Sequence, residues 1–212
     1  DERKYAEAAQ LLRSFHSLMR AGQACAQKGA EEVGSFKSAH LGDADKCLSS
    51  AVKAAEDLKK SGTIWYPVCH VWVYIWRSQV AFEMGQYFKA ESEAKTALKM
   101  IRTNSLENDT HTFVSALERY AHGSRALNKI NDAIKAFDSC YSKCASWAPD
   151  SARHYHCEAS VLRAASAAQK AQEQRAREEQ RAREAARRER EAAEQARARE
   201  EEQRRLTEEA RR

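Results

Sequence analysis

AFEMGQYFKAESEAKTALKM, Ala81 to Met100, is the stretch whose reading decides the fold. It reads as the end of one helix, a tight turn at Gly85-Gln86, and a second helix. Ala90 and Ala97 stand one heptad apart on that second helix, and Tyr87 lies one turn before Ala90. Two helices approach closely only where the side chains at their crossing are small, and a large ring beside the crossing fills the remaining space. The stretch therefore predicts a packed helical hairpin, with Tyr87 as the filler.

The same spacing recurs on both sides. LGDADKCLSSAVKAAEDL places Gly42, Ala44, Cys47 and Ala54 at the corresponding positions, and LNKINDAIKAFDSC places Asn128, Ile130, Ala133 and Cys140 there. Cys47, Ala90 and Ala133 follow one another at 43 residues. A constant period of this size marks stacked helical hairpins, none of which can bury its apolar face alone. Asn128 stands where the other two segments have Gly, and Asn tolerates a left-handed turn better than most residues. Gly at the turn, an aromatic two residues on, Ala three residues later and Ala seven beyond resembles the tetratricopeptide repeat (TPR) family, and Gly85, Tyr87, Ala90 and Ala97 match all four positions. The family's usual period is about 34 residues, and armadillo and HEAT repeats run about 40–47, so the small-residue pattern rather than the period selects TPR. Ile130 departs from the aromatic at its position.

Composition agrees with an all-α chain. Its 212 residues include 7 Gly and 2 Pro, 32% are charged, and no alternating strand pattern stands out. A net charge of +5 is too small to imply nucleic acid. Six irregularly spaced cysteines point to reduced thiols and a nuclear or cytoplasmic location. No apolar run is long enough to span a membrane. The chain opens at Asp1 without Met, and the sequence reads as a possible excerpt of something longer.

In order, residues 1–28 read as a helix packing on the array, with Tyr5, Ala8, Leu11, Leu12, Phe15, Leu18 and Met19 at helical spacing. Residues 29–149 read as the repeats. GAEEVGSFKSAHLGD, bracketed by Gly29 and Gly34, would supply the first helix of repeat one, and Asp43 to Lys60 the second. Thr63 reads as the cap of a strongly apolar helix over Ile64 to Met84 that includes Trp65, Tyr66, Trp72, Ile75 and Trp76. Asn108 or Asp109 caps the next helix, Thr110 to Leu127, which pairs with Ile130 to Trp147. Pro149 and Asp150 start a fresh helix. Residues 150–169 cap the array, and 170–212 form a solvent-exposed Glu/Arg-rich helical extension. Ala, Glu, Arg and Gln make up almost all of it, Leu206 is its only large apolar side chain, and it has no Gly or Pro. The i,i+4 pairs Glu173–Arg177, Glu179–Arg183, Glu184–Arg188, Glu201–Arg205 and Glu208–Arg212 each add about 0.2–0.5 kcal/mol. Apolar a and d positions are missing, so a single helix is favoured over a coiled coil. The oligomeric state is not legible.

The candidate partner-binding groove follows from the TPR resemblance. Trp72, Ile75, Gln79 and Phe82 fall on the face that such repeats turn toward their concave side, and Glu118, His122 and Arg125 are the matching positions of the third repeat. Aromatic anchors beside polar orienting groups suit a peptide or helix; the alternative is that the rings are ordinary core. The carboxylate clamp of some TPR proteins is not expected, because its positions hold Glu32, Phe36 and Trp76. Cys140, Cys144, His154, His156 and Cys157 could assemble zinc, but Cys140 occupies a small-residue packing position and no compact finger spacing is present, so core thiols are the preferred reading and no cofactor or metal is expected. His16, His40, His70 and His111 are scattered, and no phosphate loop or nucleophile motif occurs, which argues against an enzyme. Glu nearly balances Arg in the extension, and no ring is available there to stack on bases, so direct nucleic-acid binding is not expected.

Repeats ending in DAIKAFDSCYSKC, a capping helix HYHCEASVLRAASAAQ and a charged rod also resemble the large TPR subunit of the polymerase-associated-factor transcription elongation complex. That resemblance implies a rod lying along a polymerase. The TPR co-factor of a heat-shock ATPase and ciliary or other cytoskeletal TPR adaptors share the plan. The expectation is a non-enzymatic scaffold in a multi-subunit assembly, with protein partners.

Overall fold

The computed structural model describes residues 2–62 and 67–209. It is all-helical, with no strand among the described residues and seven helices: α1 (Glu2–Glu31), α2 (Ser35–Ser61), α3 (Pro67–Glu83), α4 (Tyr87–Thr103), α5 (Thr110–Ala126), α6 (Ile130–Cys144) and α7 (Pro149–Glu209). None of the described helices is long and apolar enough to cross a membrane. Thr63, Ile64, Trp65 and Tyr66 lie outside the described residues, as do the side chain of Tyr5 and the expected helix end at Arg212.

The chain forms two compact units, residues 1–163 and 164–212. In the first, α1 packs on α2, α3 on α4 and α5 on α6. Each pair is joined by three residues, so its helices run antiparallel. Successive pairs meet through α2–α3 and α4–α5, and the leading helices adjoin each other, α1 on α3 and α3 on α5. Two apolar cores result. One is built from α1, α2 and part of α3, around Phe15, Leu41, Leu48 and Leu58. The other runs from α3 to the first turns of α7, around Ile101, Leu117, Phe137 and Tyr155. Ala152, Tyr155, Ala159 and Leu162 are the residues with which α7 closes this second core.

The hairpin turns are made as their residues dictate. Gly85 has φ 73° and Asn128 φ 59°, the left-handed conformation expected of both positions. Asp109 caps α5: its carboxylate accepts from the Thr112 amide at 3.3 Å and from the Thr112 hydroxyl at 2.7 Å.

The first hairpin differs from its expected form. Gly42 makes no turn; it lies inside α2, and the chain reverses at residues 32–34 instead. The helix N-terminal to this reversal, read from sequence as a separate cover, is itself the first helix of the hairpin and runs to Glu31. The physical reason is continuity of the apolar face: Leu41, Ala44, Leu48, Ala51, Ala55 and Leu58 are all buried along α2. Holding that face together outweighs the roughly 1 kcal/mol that one internal Gly costs a helix. Gly29 is no breaker either. A Cβ there would stand 2.8 Å from Leu41 Cδ2, and one at Gly22 would stand 2.7 Å from Leu48 Cγ. These two glycines are the hollows into which α2 presses its leucines.

The second unit is the helical continuation of α7 from Ala164, and its described side chains are exposed apart from half-buried Ser166. At 1.5 Å per residue its described part is about 70 Å long. Its side-chain pairing is not the expected one. Glu179 does pair with Arg183 at 2.5 Å, but Glu173 accepts from Gln169 and Glu184 from Gln180, each at 3.1 Å, rather than from Arg177 and Arg188. Arg187 instead reaches Glu191 at 2.7 Å. Glu201 and Arg205 form no pair among the described residues, and Arg212, the expected partner of Glu208, lies outside them.

Candidate functional site

The candidate groove lies on α3 and α5. Trp72, Ile75, Gln79 and Phe82 recur at helical spacing on α3, as do Glu118, His122 and Arg125 on α5. The rings of Trp72 and His111 are 5.3 Å apart, and those of Phe82 and His122 6.1 Å apart. These two cross-links advance along both helices by nearly equal steps, so α3 and α5 run parallel. From Phe82 the row of rings continues on both sides. Tyr87 lies 5.4 Å from Phe82, His122 meets Phe137 edge-on at 5.4 Å, and Phe137 stacks with Tyr155 at 6.3 Å.

Trp72, Gln79, Phe82, Glu118 and His122 are half-buried, and Arg125 is exposed. Ile75 is a correction: only 3% of it is exposed and it belongs to the second core, so it cannot contact a partner. Helix spacing put it in line with Trp72 and Gln79, but the close approach of α4 and α5 covers it. Glu118 and Arg125 are also not free orienting groups. Tyr155 donates to Glu118 at 3.2 Å, His122 stands 3.7 Å from the same carboxylate, and Arg125 bonds Glu158 at 2.6 Å. The first turns of α7 bring Tyr155 and Glu158 against α5 and use both groups. The neighbouring His122 imidazole, working against burial and aided by the Tyr155 hydrogen bond, holds Glu118 below the ordinary carboxylate range. Burial, reinforced by the charge of Glu118, pushes the Tyr155 phenol far up. What remains accessible on this face is a strip of rings and amide between Trp72 and His122, chemically suited to stacking and hydrogen bonding.

Of the repeat-defining residues, Ala90, Ala97, Ala133 and Cys140 are fully buried at the helix contacts, and Ala54 is buried. Cys47 is only half-buried; Ala44 and Leu48 beside it take the core positions. Tyr87 does not fill a hole beside Ala90. It is 40% exposed and leans on Phe82, because the crossing is already closed by smaller groups. The Cys140 thiol lies 3.8 Å from the Val114 carbonyl. Burial pushes its pKa well above the ordinary thiol range and raises that of Cys144 too, which favours neutral core sulfur over thiolate ligands. Among the described residues, no three His, Cys, Asp or Glu side chains stand together as a metal site.

Those smaller groups form a joint that sequence reasoning missed. The Ser78 hydroxyl donates to the Ala90 carbonyl at 2.7 Å, tying α3 to α4. Gly123 of α5 packs so closely on α4 that a Cβ would stand 3.2 Å from the Glu91 backbone. Glu91 is buried there with both carboxylate oxygens on the Lys129 ammonium, at 2.6 and 2.8 Å, and Lys95 at 3.1 Å. Burial raises the Glu91 pKa, but the hydrogen bonds and charges of Lys129 and Lys95 outweigh it and leave the group below its ordinary value. Further ion pairs link the first two hairpins: Lys37–Glu83 at 2.8 Å and Lys89–Asp45 at 2.9 Å. The only sequence signal for the joint is an acid directly after the small residue Ala90, beside a lysine that follows the turn at Asn128.

Compared with protein-family models, curated proteins and solved structures, the chain matches none.

Proposed function

We propose that the chain is a non-enzymatic protein–protein interaction scaffold. Its three hairpins act as a TPR-like superhelical array that holds one partner, and its charged helix bridges to a second surface of a larger assembly. The observation that carries this reading is the second unit, a long helix whose described side chains are almost all exposed. Such a helix has nothing of its own to enclose and is useful as a surface presented at a distance. The array half is supported by the small-residue contacts at Ala90, Ala97, Ala133 and Cys140, by left-handed turns at Gly85 and Asn128, and by the parallel leading helices. The strip from Trp72 to His122 is its proposed contact face. Phe36 and Phe88, exposed by 70% and 77%, add apolar surface on the same unit. The partner class implied by the resemblance is a nuclear transcription-elongation assembly.

Affinity capture from nuclear and cytosolic extracts tests the reading, using the whole chain and a version ending at Gln169. All the core residues of the first unit precede that point. The expected result is a set of captured proteins of which one part is lost without the extension. Identical sets would remove the bridging role. Capture of a heat-shock ATPase by both versions would replace the scaffold reading with that of a chaperone co-factor.

A further inference from the structure

Charges in the second unit are sorted into lines. On an α-helix, residues 7 or 11 apart return to within about 20° of the same line. Lys170, Arg177, Arg181, Arg188 and Arg199 follow at spacings of 7, 4, 7 and 11 and form one basic line. Glu173, Glu184, Glu191 and Glu209 follow at 11, 7 and 18 and form an acidic line beside it. The two could neutralise each other, but the side chains do otherwise. Glu173, Glu184 and Glu191 accept from Gln169, Gln180 and Arg187. Each donor lies four residues earlier, on the side of the acidic line away from the basic one. Among the described residues, Lys170, Arg177, Arg181 and Arg188 make no hydrogen bond or ion pair, so no acid neutralises them directly. From Lys170 to Arg199 this line of uncommitted cations runs about 45 Å.

We propose that this line is a docking surface for an acidic line on a partner α-helix. This rests on the bridging role proposed above and specifies its partner. Charge complementarity selects the occupant. A helix can present carboxylates at matching spacing to the basic line while placing neutral or basic residues against the neighbouring glutamates. A nucleic-acid strand is negative throughout and would bring phosphates against the acidic line along its whole length. Single exposed ion pairs contribute little, so several must form at once, and recognition depends on the spacing of the acids rather than on their number.

The test is a fluorescence-anisotropy titration of the full chain. The probe is a labelled Ala/Gln-based helical peptide carrying Glu along one line at spacings of 7 and 4. A scrambled peptide of identical composition and a duplex DNA serve as comparisons. Four of the line's five cations are removed by Lys170→Gln/Arg177→Gln/Arg181→Gln/Arg188→Gln, which keeps helix propensity. Arg175→Gln/Arg190→Gln/Arg197→Gln/Arg204→Gln makes the same charge change on the opposite side of the helix. The patterned peptide is expected to bind at least about tenfold tighter than the scrambled one, to lose about tenfold with the line variant, and to change less than about twofold with the control. Equal binding of the two peptides, or equal loss in the two variants, would overturn the proposal. So would duplex DNA that binds tighter than the patterned peptide and is lost with the line variant. If the patterned peptide fails while capture still depends on the extension, only the line is at fault and the bridging role stands.

Discussion

Glu91 is the residue on which the contact between the second and third hairpins turns. A carboxylate this deeply buried is tolerable only because Lys129 and Lys95 meet it. Replacing one partner leaves the others unmatched, so Glu91→Gln is expected to lower stability at pH 7 by roughly 1–3 kcal/mol in urea unfolding. The sign with pH follows from the direction of the shift. The folded-state pKa of Glu91 is depressed, so its contribution is present at neutral pH and is lost as pH falls through the folded value, below the ordinary 4.5. Glu118 behaves likewise. Glu93 opposes them: burial outweighs Arg77 and raises its pKa, so its contribution is present in acid and is lost as pH rises through that raised value. The gap between parent and Glu91→Gln should therefore close in acid, and a gap that stays constant down to pH 3 would show that the Glu91 charge does not matter. Little of this was legible in the sequence: Lys95 stands one turn along the same helix, but Lys129, which meets both carboxylate oxygens of Glu91, arrives from 38 residues away. The small residues beside it were legible, because spacing alone places Ala90 and Ala97 on one face.

The elements were read best where a turn residue and the apolar period agreed. Gly85 and Asn128 announced their turns, and the end of α3 and the bounds of α4 to α6 fall close to the expected positions, the expected start of α3 at Ile64 lying outside the described residues. Gly42 misled because a glycine inside a helix and a glycine at a turn look alike in sequence. What separates them is whether the apolar face continues through, and in α2 it does. The candidate site was legible by face and not by exposure: the TPR resemblance lined up Trp72, Gln79, Phe82 and His122, but no local pattern could say that α4 and α5 would cover Ile75 or that α7 would claim Glu118 and Arg125. The turn assignment gives a direct expectation. Asn128→Ala places a Cβ residue without Asn's local hydrogen bonding at φ 59° and should cost about 1 kcal/mol, whereas Asn128→Gly should cost nothing. Equal midpoints for the two variants in denaturant would show that the turn carries no strain.

At the scale of the molecule, the two units should lose structure in different ways. The first has two connected apolar cores and should unfold cooperatively. The second holds together by local propensity and i,i+4 contacts worth about 0.2–0.5 kcal/mol each, so its helicity should decline gradually with temperature. Circular dichroism of the whole chain should show a sloping loss superimposed on one sharp step, and the version ending at Gln169 should keep the step and lose most of the slope. A single sharp transition for both would mean that the extension is stabilised by the first unit.

Among the described helices, α3 alone divides its buried residues between the two cores, Val73 and Val80 facing one and Val71 and Ile75 the other. Neither half of the first unit can open without stripping one side of this helix. Its central amides should therefore be the last in the chain to take up deuterium, exchanging only through global unfolding while the hairpins on either side still breathe.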